Sequence, residues 1–158
     1  MCFGDSITYG ASVEGNGWVD QLYRKSNEIV TLNEGRKGRK TSDKEELLPC
    51  LIKHKDVNYI MFFLGVNDLK DGNDSLVNSC TENMKWMIRQ VRELLPTTEI
   101  VLIAPCSINL ESMSELNKSK LYNENTKKSL EKLESAYKKL AEEESVDFIS
   151  LLNVVSKE

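Results

Sequence analysis

Residues Tyr59–Gly65 read YIMFFLG, six apolar or aromatic side chains in succession and then a glycine. A strand with one wet face alternates apolar and polar residues. An unbroken apolar run is the mark of a parallel strand covered by helices on both sides. EIVLIAP, at Glu99–Pro105, repeats the pattern. Working outward, Met1–Gly4, Ile29–Asn33, Asn58–Leu64, Glu99–Ala104 and Val146–Ser150 are the expected strands.

Amphipathic stretches separate them. Trp18, Val19, Leu22 and Tyr23 keep helical spacing, as do Leu47, Leu48, Leu51 and Ile52, with Pro49 disturbing that helix or marking a first turn. A third helix is expected over Leu76–Leu95, stopped by Pro96, and a fourth over Leu121–Ala141. Strands alternating with helices require crossover connections and a mainly parallel sheet. The expected fold is therefore α/β, a three-layer α/β/α sandwich of about five parallel strands. No linker, repeat or low-complexity stretch interrupts residues 1–158, which read as a single domain.

Composition narrows the partners. The net charge of −4 argues against nucleic acid or an anionic membrane surface. No run approaches the roughly 18 apolar residues of a membrane span. The first residues lack the basic start and apolar core of a signal peptide, and Cys2, Cys50, Cys80 and Cys106 form no C-x-x-C pair. A reducing, cytoplasmic compartment is favoured, and neither a metal site nor a cofactor is expected. Homo-oligomerisation is left open.

Ligands of open parallel sheets bind beyond the carboxyl ends of the strands. Those ends carry Gly4-Asp5-Ser6, then Asn33-Glu34-Gly35-Arg36-Lys37-Gly38, then Gly65-Val66-Asn67-Asp68, then Pro105-Cys106-Ser107. Taken singly, each is a turn or a helix cap. Together they place a hydroxyl, glycine amides and a carboxamide on one rim. Acyl transfer needs such a set: a nucleophilic oxygen, and donors aimed at the oxyanion. The N–H of Ser6, the N–H of Gly35 and the side chain of Asn67 are the expected donors.

These blocks resemble those of the SGNH (GDSL) hydrolases: FGDSITYG with Ser6, NEGRKGRKT with Gly35 and a closing Thr41, and FLGVND with Asn67. The resemblance extends over essentially the whole chain, and the NEG block is most similar to the arylesterase-type branch. It implies a flavodoxin-like sandwich, a serine esterase or acyl hydrolase acting on a small-molecule ester, Ser6 as nucleophile, and Gly35 and Asn67 in the oxyanion hole.

The family's D-x-x-H block, which supplies the base, has no counterpart here. The one histidine, His54, precedes the third strand whereas Asn67 follows it. Seven residues at about 3.3 Å each separate the two by roughly 20 Å, too far for proton transfer. The resemblance also implies a chain trimmed at both ends. Three explanations stay open: a fragment of an active enzyme, a chain that has lost its base, or one completed by another chain. Two other function classes compete, a binding module for an acylated ligand and a flavin or nucleotide binder. Gly35 and Gly38 make no G-x-G-x-x-G or P-loop, and the basic residues Arg36, Lys37, Arg39 and Lys40 read as a solvated loop.

Overall fold

The computed structural model describes residues 1–26 and 28–154. Five parallel strands, β1 (Cys2–Gly4), β2 (Asn33–Gly35), β3 (Tyr59–Phe63), β4 (Glu99–Ala104) and β5 (Asp147–Ser150), form one sheet in the order β2-β1-β3-β4-β5. The helices are α1 (Ser6–Tyr9), α2 (Trp18–Lys25), α3 (Leu47–Lys53), α4 (Val66–Leu69), α5 (Val77–Leu94), α6 (Glu115–Lys118) and α7 (Glu124–Glu144). This strand order is that of the flavodoxin-like doubly wound sandwich, whose direction of winding reverses between β1 and β3. The expected α/β/α architecture is the one observed.

The two faces of the sheet are covered unequally. On one, Phe3, Ile60, Phe62, Leu64, Ile100 and Leu102 pack with Leu47 and Leu51 of α3, Met84, Met87 and Ile88 of α5, and Leu130, Leu133 and Tyr137 of α7. Trp86 lies half-buried against this core, with the Lys44 ammonium 5.3 Å from its ring centre. On the other face the buried apolar group is Phe63, Val101 and Ile103, covered by Trp18 of α2, Met61 and Leu151. Tyr59 and Ile149, in register on that same face, are 52% and 44% exposed.

Three expected boundaries move. Pairing of β2 starts at Asn33, opposite Cys2, so the β-branched residues Ile29–Thr31 lie ahead of the ladder and Val30 stays exposed. A 3-10 turn at Thr41–Glu46 leads into α3, which places Pro49 in the first turn, where its missing N–H costs nothing. The last long helix begins at Glu124, because the Asn123 side chain caps it by accepting from the N–H groups of Asn125 and Thr126. Among the described residues no helix is long and apolar enough to cross a membrane.

Candidate active site

The site is built at the winding reversal, where β1 and β3 deliver their carboxyl ends side by side. Beyond Gly4 the chain turns into α1. Asp5 is its N-cap and is almost wholly buried, with its Oδ1 accepting from the Ile7 N–H at 2.8 Å. Ser6 is the first helical residue and half-exposed, with its own N–H among those left unpaired at a helix start.

From β3, Gly65 leads into the single turn of α4, which presents Asn67 and Asp68 to the neighbouring loop. The Asn67 Nδ2 donates to the Arg39 carbonyl at 3.1 Å and faces Asp5 Oδ2 at 3.5 Å. Asp68 accepts from both the N–H and the hydroxyl of Thr41, the latter at 2.7 Å. Adjacent side chains of one block thus grip both ends of the Arg39–Thr41 segment.

Arg39 is not the solvated residue expected of a basic loop. Only 5% of it is exposed: its guanidinium lies 4.0 Å from the Phe3 ring centre, donates to Gly4 O at 2.8 Å and to Glu34 O, and pairs with Glu46. Two backbone carbonyls, a carboxylate and an aromatic face replace the water it gives up.

Gly35, the other expected donor, is held close to α1. Its N–H donates to Asn33 Oδ1 at 2.9 Å, and a Cβ at this position would come within 2.2 Å of the Tyr9 nitrogen. Asn33 Nδ2 in turn donates to Thr8 O at 2.9 Å. In this arrangement Gly35 is the residue that lets α1 rest on β2, and its amide is already spent. Gly38 is placed differently. It is the third residue of the turn closed by Arg39 N–H to Arg36 O, has φ of +75°, and donates its N–H to nothing among the described residues. The positive φ is the backbone feature that separates it from Gly35.

Electrostatics concentrate on Asp5. Burial, with Asp68 adding to it, raises its carboxyl to about 6, against the opposing pull of the Ile7 N–H and Arg39. Burial likewise raises Asp68, whose bonds from Thr41 oppose the shift. Cys106, beyond β4, is half-buried, with its thiol raised by burial.

His54 lies at the other end of the sheet. It is the C-cap of α3, with Nε2 2.7 Å from Glu34 Oε1, and it borders a cavity of about 600 Å³ together with Met1, Asn58 and Tyr59. Among the described residues no cluster of His, Cys, Asp and Glu is arranged to hold a metal.

No curated protein matches this sequence. Among solved structures, a carbohydrate acetylesterase family member from Sinorhizobium meliloti superimposes with a TM-score of 0.77 at 22% identity, covering 94% of this chain and 80% of that one. The aryl esterase of M. smegmatis gives 0.77 at 21% identity, covering 94% and 81%. At these identities the likeness is one of fold. The GDSL-like Lipase/Acylhydrolase family matches residues 2–158, nearly the whole sequence, and the chain belongs to that family.

Proposed function

We propose that the chain is the body of a serine esterase in which Ser6 attacks the carbonyl of a small or acyl ester. The observation that carries this reading is the meeting of the Asn67 carboxamide with the Asp5–Ser6 turn and the Arg39 carbonyl on one rim. As the carbonyl carbon becomes tetrahedral, its oxygen takes up negative charge. The Ser6 N–H supplies one donor to it, and Asn67 Nδ2 supplies a second by turning toward it the N–H that meets Asp5 Oδ2 only at 3.5 Å. The Gly38 N–H, which donates to nothing among the described residues and adjoins the residue that Asn67 grips, is the candidate for the third donor beside Gly35.

The reaction also needs an acceptor for the Ser6 proton, and the rim offers no imidazole. In this reading the acceptor comes from a group outside residues 1–158, which takes the proton, returns it to the leaving alcohol and then activates water against the acyl-serine. Alone, the chain is expected to hydrolyse p-nitrophenyl acetate no faster than its Ser6→Ala variant. Added imidazole is expected to restore hydrolysis in the parent and not in Ser6→Ala. Equal response of both proteins to imidazole would remove Ser6 from the reaction.

The missing imidazole also favours a second reading, a module that binds an acylated ligand without cleaving it. Saturable ester binding that survives Ser6→Ala, with no imidazole-supported turnover, would select it.

A further inference from the structure

We propose that Asp5 is a positioning residue whose ionised carboxylate uses one oxygen to hold the helix of Ser6 and the other to hold the Asn67 carboxamide, so that the rim is assembled only while Asp5 carries its charge. This rests on the reading of Ser6 and Asn67 given above.

The two oxygens have separate duties. Oδ1 accepts from the Ile7 N–H at 2.8 Å, which fixes the first turn of α1 and with it Ser6. Oδ2 faces Asn67 Nδ2 at 3.5 Å, on the far side of the carboxylate. The carboxamide has two N–H groups, and the Arg39 carbonyl takes one of them at 3.1 Å. Asp5 governs where the other points. A carboxylate can accept on both oxygens at once, whereas a carboxylic acid turns one of them into a hydroxyl donor. Protonation therefore sets a donor against a donor and frees Asn67 from Asp5, or else surrenders the cap on Ile7.

The surroundings make this a labile choice. Asp5 is 2% exposed, so water cannot replace a lost partner. The charged and titratable groups that act on it come from four directions: Asp68 of α4, Arg39 of the loop after β2, Cys106 beyond β4 and Tyr122 ahead of α7. Asp68 opposes the charge on Asp5 and Arg39 supports it. The balance brings the transition to about pH 6, within the range where a cell or an assay can move it.

Nuclear magnetic resonance of the full chain tests this without any turnover. The Asn67 side-chain amide, the Ile7 backbone amide and the Asp5 carboxyl carbon are followed from pH 4.5 to 8. All three are expected to move with one midpoint near pH 6, and both amide transitions are expected to vanish in Asp5→Asn. An Asn67 amide that stays still, or that moves in Asp5→Asn as in the parent, overturns the proposal. Should Asp5→Asn not fold, the parent alone decides: a shared midpoint for Asn67 and the Asp5 carbon supports the proposal, and separate midpoints overturn it. Ser6→Ala should titrate like the parent, so a failed esterase reading and a failed Asp5 reading give different results.

Discussion

The two ends of the sheet hold complementary halves of a chemistry. At the carboxyl end a carboxamide, the buried Asp5 carboxylate, the half-buried Asp68 carboxylate and a buried guanidinium gather on the rim that carries Ser6. At the amino end sit the single imidazole and an open cavity, with His54 spent on Glu34. Residue types alone would allow a serine–histidine–carboxylate constellation, since all three are present. Topology forbids it, because parallel strands send everything before them to one rim and everything after them to the other.

Substitutions at either end put that contrast at risk. The largest effect is expected for Asn67→Ala, which should lower the imidazole-supported, Ser6-dependent rate by about 10²–10³-fold, measured with p-nitrophenyl acetate. A rate unchanged from the parent would dissolve the special status of the carboxyl end.

Next comes Asp5→Asn, read by thermal or urea unfolding. The folded carboxyl titrates at about 6 against 3.8 in its ordinary state, so the fold disfavours the charged form. The resulting destabilisation is absent below the ordinary value, grows as pH rises between the two, and is complete above about pH 6. Asp5→Asn should therefore stabilise the chain at pH 8, by on the order of 3 kcal/mol at most, and make little difference near pH 3.5. The site would then carry a destabilising charge that the rest of the core offsets.

Alanine at Gly35, which ends β2, and at Gly38, in the loop after it, separates packing from chemistry. At Gly38 a Cβ meets nothing within 4 Å, so Gly38→Ala should cost only the roughly 1–2 kcal/mol of a left-handed backbone. At Gly35 it collides with the backbone of α1, and the melting temperature should fall further than for Gly38→Ala. The smallest effect belongs to His54→Gln: the imidazole-supported rate should stay at the parent value, and stability should fall by about 1 kcal/mol or less. A collapse of that rate would bring the amino end into the reaction.

How much of this was legible beforehand varies by residue. The runs Ile60–Phe63 and Ile100–Ala104 declared themselves because strands covered on both faces leave no polar positions. β2 was misjudged because Ile29–Thr31 have strand composition, while pairing is decided by which residues lie opposite Cys2. Ser6 and Asn67 were nominated through motif and strand-end logic, and both lie at the carboxyl ends of adjacent strands. Gly35 and Gly38 look alike in a sequence, and only the backbone shows that one amide is spent and the other is not. The burial of Arg39 was hidden too. Its neighbours Arg36, Lys37 and Lys40 are exposed, and nothing local announces that Gly4 O and the Phe3 ring wait for its side chain.

The unequal cover of the sheet has an optical consequence. The chain has two tryptophans, one against each face: Trp18 tilted against Phe63 on the sparsely covered side, Trp86 beneath a lysine on the densely packed one. Ultraviolet emission from the native protein is thus a sum of two signals from two environments. Replacing either indole with phenylalanine would leave a single emitter that watches one layer of the sandwich on its own.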